Sequence, residues 1–151
     1  MIREEVKNKL KGKFKDWFEK NPRRVYITID KKNLKDVAQI LYKEFGMRLS
    51  TVTGIDNEKS FELIYHFGKD STGELFNLRV FIEDKVRPQI DSLSFLFKST
   101  LWIEREIHEM LGIDFLGHPE LKHLLLDKDW PKEECPLRKD YLLKRGYPQD
   151  E

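Results

Sequence analysis

The chain has 151 residues, 39% of them apolar and 36% charged, which is enough for one compact domain with a hydrophobic core. Its 28 Lys and Arg balance 27 Asp and Glu to a net charge of +1, which argues against the clustered basic surface of a nucleic-acid binder. The single cysteine, Cys135, cannot form an internal disulfide or hold an iron–sulfur cluster by itself, and no stretch approaches the roughly 20 apolar residues of a transmembrane helix.

The N-terminal segment predicts an amphipathic helix. Residues 1–13 are charged where a signal peptide would be apolar, so we expect a cytoplasmic protein that reaches a membrane only through a partner. Apolar side chains recur at i, i+4 spacing over residues 3–19, and Asn21-Pro22 ends the pattern. These side chains are Val6, Leu10, Phe14 and Phe18. The opposite face is rich in Lys, which allows contact with a membrane surface, but packing on the chain's own domain is the favoured interpretation.

The next segments predict a strand, a helix and a second strand. Residues 25–29 alternate as in a strand, and Asp30 is placed to cap the N-terminus of the following helix. The apolar stripe of this helix consists of Leu34, Val37, Ala38, Leu41, Tyr42 and Phe45. Gly46 occupies the position of a left-handed residue at a helix end, and residues 49–53 predict the second strand.

Two further strands complete a predicted sheet. Residues 61–67 and 75–82 alternate apolar and polar side chains, and the turn between them contains Asp70, Ser71 and Gly73, as in an antiparallel hairpin. This alternation places one face of the sheet against a core and leaves the other wetter. We therefore predict an α+β fold with a four-stranded, mainly antiparallel sheet and helices packed on one side.

The last third of the chain has a different character. Residues 99–111 predict a helix, whereas residues 112–151 contain four prolines and little periodicity. About 40 residues without regular structure are unusual inside a compact domain, and this segment carries the apolar anchors of an arm that lies along another protein. The anchors are Phe115, Leu124 to Leu126, Trp130, Tyr141 and Tyr147. We expect residues 1–111 to form the α+β domain and residues 112–151 to form a docking arm of the same structural unit.

The helix at 99–111 carries charges beside its apolar face. That face consists of Ile103, Ile107, Met110 and Leu111. Glu104 and Glu106 lie on its flanks, and Arg105 points away from it. Flanking carboxylates that are partly buried each need a hydrogen-bond donor. On physical grounds alone, the favoured interpretation is a solvated helix with an Arg105–Glu109 ion pair, which contributes roughly a few tenths of a kcal/mol.

Two other functions are possible from the residues alone. The first is a metal-dependent hydrolase, because several metal-ligand types follow one another within a short stretch: Glu104, His108, His118, His123 and Cys135. However, Gly112 stands where the helical zinc motif has its second histidine, and structural zinc prefers pairs of cysteines. The second is a free-standing binding module, which would leave the apolar groups of the arm exposed.

Motifs in the last two-thirds of the chain resemble one known family. In chain order they are Thr53-Gly54-Ile55-Asp56, Tyr65-His66-Phe67, Ser92-Leu93, Glu104-Arg105-Glu106, Gly112-Ile113-Asp114-Phe115, Gly117-His118-Pro119, Asp129-Trp130 and Pro136-Leu137-Arg138-Lys139-Asp140-Tyr141. Together they resemble the signature of the complex I 30 kDa subunit family, the C-type subunit of NADH:quinone oxidoreductases. This family includes the equivalent subunit of archaeal membrane-bound energy-converting hydrogenases. The resemblance covers about residues 25–147, with departures at His108, Glu109, Leu111, His123 and Cys135, which argue against a family-wide role for His108 or Cys135.

The resemblance implies a cofactor-free accessory subunit in the peripheral arm of a membrane redox complex, on the cytoplasmic side of the cell membrane. Its implied partners are a hydrogenase-like large subunit of the 49 kDa type and an iron–sulfur small subunit, which would carry the iron–sulfur clusters and the nickel–iron or quinone site. No catalytic, cofactor-binding or metal-binding residue is expected in this chain. The expected subunit interface consists of Glu104, Arg105, Glu106, Gly117, His118, Pro119, Trp130, Leu137, Arg138, Lys139, Asp140 and Tyr141.

Overall fold

The computed structural model describes residues 1–144, which contain a five-stranded sheet and a two-stranded sheet. The elements in chain order are α1 (Ile2–Lys9), β1 (Asp16–Asn21), β2 (Arg24–Ile29), α2 (Leu34–Gln39), β3 (Arg48–Asp56), β4 (Phe61–Lys69), β5 (Glu74–Ile82), β6 (Gln89–Asp91), α3 (Thr100–Leu111), β7 (Asp114–Leu116) and α4 (Lys139–Lys144). A 3-10 turn (Lys31–Asn33) precedes α2, and a π-helical turn (Ile40–Glu44) follows it.

The strands of the large sheet lie in the order β1-β2-β5-β4-β3. β1 is antiparallel to β2, and β2 is parallel to β5. The connections from β3 to β4 and from β4 to β5 span only residues 57–60 and 70–73, which is too short for the crossover that parallel neighbours need. Both pairs are therefore antiparallel hairpins, and the predicted α+β class with a mainly antiparallel sheet is confirmed.

The sheet has one strand more than predicted, because residues 16–21 form β1 instead of the end of a helix. Helix α1 ends at Lys9, and Gly12 has a φ of 83°, a left-handed conformation that turns the chain out of the helix. Phe18 then lies opposite Tyr26 in the antiparallel β1–β2 pair, with 55% of its surface exposed. The prediction of one helix over residues 3–19 was therefore wrong, since the spacing of its aromatic residues does not distinguish a helix from a helix followed by a strand.

The segment between β2 and β3 agrees with its predicted pattern in most positions. The apolar stripe is buried at Leu34, Val37, Ala38 and Leu41, whereas Tyr42 is exposed. Gly46 is left-handed, with a φ of 60°, as predicted. Asp30 has the extended backbone of a cap residue, but its carboxylate makes no capping bond and lies 2.8 Å from Nζ of Lys15.

Two compact units make up the chain, and the first comprises residues 1–53 and 62–81. It contains α1, α2 and most of the large sheet. The apolar faces of β4 and β5 are buried as the alternation predicted. The core of this unit contains Val6, Leu10, Val25, Ile27, Ile29, Leu34, Val37, Leu41, Leu63, Tyr65, Phe67, Phe76, Leu78 and Val80.

Among the described residues, the second unit comprises residues 54–61 and 82–144. Strands β6 and β7 pair in parallel, and α3 is the helix of the crossover between them. Its core contains Ile82, Ile90, Leu93, Phe97, Ile107, Leu111, Ile113 and Phe115. Helix α3 and the described residues after it lie in this one unit. The expected division into a domain that ends at residue 111 and an arm that begins at residue 112 stays a prediction. Across residues 1–144, no helix is both long and apolar enough to cross a membrane.

Candidate functional site

Helix α3 organises the second unit, because charged side chains on two of its sides are buried. It ends at Gly112, which has a φ of 79°, and the apolar side chains of Ile107 and Leu111 face the core. Glu104, on the flank of the apolar stripe, is buried, and so is Glu109 on the side opposite that stripe. The side of α3 that the sequence predicts to be solvated is therefore covered at Glu109, whereas Trp102 on the same side is exposed.

Glu104 ties α3 to the segment after β6. Its side chain is 0% exposed, and its carboxylate accepts hydrogen bonds from the Ser92 hydroxyl at 2.6 Å and from the Leu93 backbone N–H at 2.7 Å. Burial in a poorly hydrated site disfavours the charged form and raises the pKa of Glu104 to about 7, against the opposing effect of the two donors. The sequence predicts that a flanking carboxylate needs a hydrogen-bond donor if it is buried, and this is confirmed for Glu104. Glu106, on the other flank, is exposed.

Arg105 and Glu109 bind the backbone of residues 122–126, which we call the covering loop. We call this pair of side chains the α3 clamp. The Arg105 guanidinium donates to the carbonyl oxygens of Lys122 and His123 at 3.1 and 2.7 Å. The Glu109 carboxylate accepts the backbone N–H groups of residues 124, 125 and 126 at 2.9, 2.8 and 3.3 Å. Residues four apart on one helix thus bind opposite polar groups of one loop. The favoured solvated Arg105–Glu109 pair was wrong, because both side chains bind the loop backbone.

A second attachment point lies at the C-terminal end of α3. Nε of Arg138 donates to the carbonyl oxygen of Leu111 at 2.5 Å, and the guanidinium lies over the Phe61 ring, 5.1 Å from its centroid. Beside it, the buried carboxylate of Asp56 accepts the Lys139 backbone N–H at 2.9 Å and also pairs with Lys85. These contacts lie within the second unit, so Arg138 and the Lys139 backbone hold the chain to itself.

The turn at Gly117-His118-Pro119 is fixed by the histidine ring. Gly117 has a φ of 84°, and Nε2 of His118 lies 2.9 Å from the carbonyl oxygen of Leu101. The other ring nitrogen, Nδ1, accepts the Glu120 backbone N–H at 3.0 Å. Both partners are met by one neutral tautomer, with the proton on Nε2. This turn is therefore anchored to α3 through Leu101.

The other expected interface residues are at or near the surface. Trp130 donates its indole N–H to the carbonyl oxygen of Glu134 at 2.7 Å, and its ring centroid lies 6.4 Å from that of Tyr141. The Leu137 side chain is 62% exposed, and Lys139 and Asp140 are exposed. Whether these residues contact another subunit stays a prediction.

The histidines and the cysteine do not converge on a metal site in residues 1–144. Nδ1 of His108 lies 2.9 Å from the Ile113 carbonyl oxygen, and Nδ1 of His123 lies 2.9 Å from that of Asp127. Cys135 is buried, and burial raises the pKa of its thiol. In this part of the chain no group of three or more His, Cys, Asp or Glu residues could hold a metal ion, so the hydrolase alternative has no ligand set there.

The role of Glu109 does not follow from the sequence pattern. Its position opposite the apolar stripe indicated solvent exposure, and the covering loop is 15–17 residues away along the chain. One usable signal was present: Leu124 to Leu126 form an apolar run in a segment with few regular elements, and such a run needs a surface to lie on.

Comparisons with known proteins agree with the resemblance in the motifs. The family described as "Respiratory-chain NADH dehydrogenase, 30 Kd subunit" matches residues 27–147. The C-type subunit of the NADH-quinone oxidoreductase of Geobacter sulfurreducens is 30% identical over 124 residues, which cover 79% of this chain and 75% of that protein. The C-type subunit of the F(420)H(2) dehydrogenase of Methanosarcina mazei is 34% identical over 131 residues, which cover 85% of this chain and 80% of that protein.

A solved structure has the same fold. It is a chain of the membrane-bound sulfane sulfur reductase, described as an archaeal respiratory membrane complex. The two chains superpose with a TM-score of 0.82 over 99% of this chain and 94% of that chain. Since the sequences are 20% identical, this likeness concerns the fold alone.

We predict that Glu104→Gln weakens the dependence of stability on pH. The carboxyl binds its proton more tightly in the folded chain, with a pKa of about 7, than at its ordinary value of 4.5. The resulting stability is fully present below about pH 4.5 and is lost as the pH rises through about 7, a difference on the order of 3 kcal/mol. Melting temperatures from circular dichroism, measured between about pH 4.5 and pH 8, should therefore decline less for the variant than for the native chain.

The matched control is Glu106→Gln, which removes an exposed carboxylate from the same helix. It should decline with pH as the native chain does. Indistinguishable pH profiles for the native chain and Glu104→Gln would contradict the assignment.

We predict that Glu109→Ala opens the covering loop locally. The variant leaves the N–H groups of residues 124–126 without their carboxylate acceptor, which costs about 1–3 kcal/mol for such groups. Hydrogen exchange of a peptide spanning residues 121–127, followed by mass spectrometry, should be faster in the variant. Glu106→Ala, at an exposed position of the same helix, is the control and should leave exchange in this peptide unchanged. Exchange in Glu109→Ala as slow as in the native chain would contradict the clamp.

Proposed function

We propose a function from one premise, that the chain belongs to the family of the 30 kDa subunit of the respiratory-chain NADH dehydrogenase. The chain acts as an accessory subunit in the peripheral arm of a complex I-like membrane redox complex, of the NADH:quinone oxidoreductase or energy-converting hydrogenase type. It docks onto a hydrogenase-like large subunit of the 49 kDa type beside an iron–sulfur small subunit. It carries no cofactor of its own and supports electron transfer coupled to ion translocation by holding these partners in place, on the cytoplasmic side of the membrane.

One observation carries the docking proposal: in the segment after α3, the backbone is held while large apolar side chains are exposed. The Leu125 backbone N–H is bound by Glu109, and the Leu125 side chain is 64% exposed. The Leu137 backbone N–H donates to the Met110 carbonyl oxygen at 3.1 Å, and the Leu137 side chain is 62% exposed. A fixed backbone lowers the entropy lost on binding, which makes such side chains effective anchors.

The second unit has other large apolar side chains that are exposed. They are Val86, Phe95, Trp102 and Leu116. In the proposed function, these side chains join Leu125 and Leu137 as apolar groups that a partner covers. The second unit is therefore the docking unit in this proposal.

The expected interface residues divide into two roles. Arg105, His118 and Arg138 hold the segment after α3 to that helix, and Glu104 fixes the helix to the segment after β6. The contacting residues are those with exposed or half-exposed side chains, namely Glu106, Gly117, Pro119, Trp130, Leu137, Lys139, Asp140 and Tyr141. The residues that hold the segment thus affect assembly indirectly, by fixing the conformation of the residues that contact the partner.

The proposal is tested by isolating the chain with its neighbours. The chain is tagged in its native host, membranes are solubilised gently, and co-purifying proteins are identified by mass spectrometry. Recovery of a hydrogenase-like large subunit and an iron–sulfur small subunit supports the proposed role, and their sequences identify the type of complex. Recovery of the chain alone would contradict the proposal and favour a free-standing module.

We predict that Leu137→Asp lowers recovery of the complex without unfolding the chain. The substituted side chain is exposed, and the hydrogen bond between the backbone of residue 137 and Met110 remains available. Placing a charge in a desolvated contact costs about 2 kcal/mol or more, which corresponds to a loss of about thirtyfold or more in affinity. Recovery of co-purified subunits per tagged chain measures the effect, and the melting temperature of the purified chain checks its folding.

Tyr42→Asp is the control, because it places the same charge at an exposed aromatic residue of the first unit. It should leave recovery unchanged. Equal recovery for Leu137→Asp and the native chain would remove Leu137 from the interface.

A further inference from the structure

The buried carboxylate of Glu104 lies at the end of a short chain of hydroxyl groups. Ser92 is buried beside it, whereas Ser94, two residues further on, is only half-buried. The Ser92 Oγ lies 2.6 Å from Oε2 of Glu104 and 2.8 Å from Oγ of Ser94. Both distances are typical of hydrogen bonds between oxygen atoms. Three oxygen atoms thus form a hydrogen-bonded path from the interior of the second unit to a partly exposed residue.

The two carboxylate oxygens of Glu104 have different partners, and this difference determines where a proton can bind. Oε1 accepts the backbone N–H of Leu93 at 2.7 Å, and a backbone N–H can only donate. A proton on Oε1 would therefore point at another donor. Oε2 faces the Ser92 hydroxyl, which can donate or accept. The proton of the neutral carboxyl thus belongs on Oε2.

The serine hydroxyls can satisfy both charge states of Glu104, because each has one hydrogen and two lone pairs. When the carboxylate is ionised, the Ser92 hydroxyl donates to Oε2 and the Ser94 hydroxyl can donate to Ser92. When Oε2 carries a proton, it donates to Ser92 Oγ, and the Ser92 hydroxyl donates to Ser94. The backbone N–H of Ser94 donates to Ser92 Oγ at 3.1 Å in both states. Only hydrogen atoms have to move between the two arrangements.

The groups that bind the Glu104 carboxylate are neutral. The segment after β6 presents a hydroxyl and a backbone N–H to it. The titratable groups along the adjoining elements have other partners. Asp91, at the end of β6, has a partner among the described residues. His108, one turn further along α3, has Nδ1 at 2.9 Å from the Ile113 carbonyl oxygen and at 3.4 Å from Asp114 of β7.

We propose that Glu104 is a buried proton-binding site that exchanges its proton with solvent through the hydroxyls of Ser92 and Ser94. On uptake, a hydronium ion gives a proton to Ser94 Oγ, Ser94 passes its own hydroxyl proton to Ser92 Oγ, and Ser92 passes its own to Oε2. The net change is one proton added to the carboxylate and one water molecule released, and proton loss reverses each step. Burial raises the pKa of Glu104 to about 7, so both charge states are populated near neutral pH.

The site is complete within this chain, so the inference does not depend on the proposed function. Its occupancy changes the bond between α3 and the segment after β6, because the Ser92 hydroxyl reverses from donor to acceptor. That attachment therefore depends on pH in the neutral range.

NMR of the full chain, with carbon-13 in the side-chain carboxyl groups of glutamate, tests the site. One glutamate resonance should titrate near pH 7, be missing in Glu104→Gln and be present in Glu106→Gln, the control at an exposed position of α3. Ser92→Ala removes one of the two donors to the ionised carboxylate, so the midpoint should rise by about one pH unit. Absence of a glutamate that titrates above about pH 6 in the native chain would overturn the site, and this measurement needs no substitution.

Ser94→Ala tests the path, because it leaves both donors to Glu104 in place. Proton exchange, measured from relaxation of the same resonance at its midpoint pH, should slow by about tenfold or more, since a hydroxyl of the path is lost. Ser94→Thr keeps a hydroxyl at this position and should restore the native rate, and circular dichroism checks that both variants fold. Exchange as fast in Ser94→Ala as in the native chain would overturn the path through the serines.

Discussion

The second unit depends on one constraint: the backbone of a segment with little regular structure must find hydrogen-bond partners that a sheet or helix would otherwise supply. Buried backbone groups without partners cost free energy, so a segment of this length cannot pack without them. Helix α3 provides these partners through its charged side chains. Glu109 takes three N–H groups and Arg105 takes two carbonyl oxygens of the covering loop. The clamp thus replaces secondary structure for residues 122–126.

The chemistry of these side chains explains why the arrangement uses charges. A carboxylate offers two oxygens with several lone pairs, and a guanidinium offers donors in a fixed fork, so each can serve more than one backbone group. Hydrogen bonds to charged groups are also stronger than those between neutral groups. The cost is desolvation, and it is visible at Glu104, where burial raises the pKa to about 7 despite two donors. Helix α3 is therefore fixed on both sides by interactions that only specific residue types can make.

In the proposed function, this internal fixation makes the surface suitable for assembly. A segment that ordered only on binding would lose conformational entropy at that moment, whereas the held segment has lost it already on folding. The exposed side chains of Leu125 and Leu137 are presented by a backbone with defined positions. In the proposed function, these apolar side chains on one preorganised unit are the anchors of a subunit that holds larger partners together.

The sequence by itself determined the features that local patterns report. Period-two alternation specified the β4–β5 hairpin, helical spacing specified α3, and ordered motifs specified the family. Only the tertiary structure decided that residues 16–21 pair with β2, and that Glu109 is buried under a loop from further along the chain. The reason is physical: apolar periodicity shows which face of an element is turned to the nearest core, but it contains no information about a second surface. Contacts between residues distant in sequence depend on where the chain returns, and the folded backbone alone sets that path.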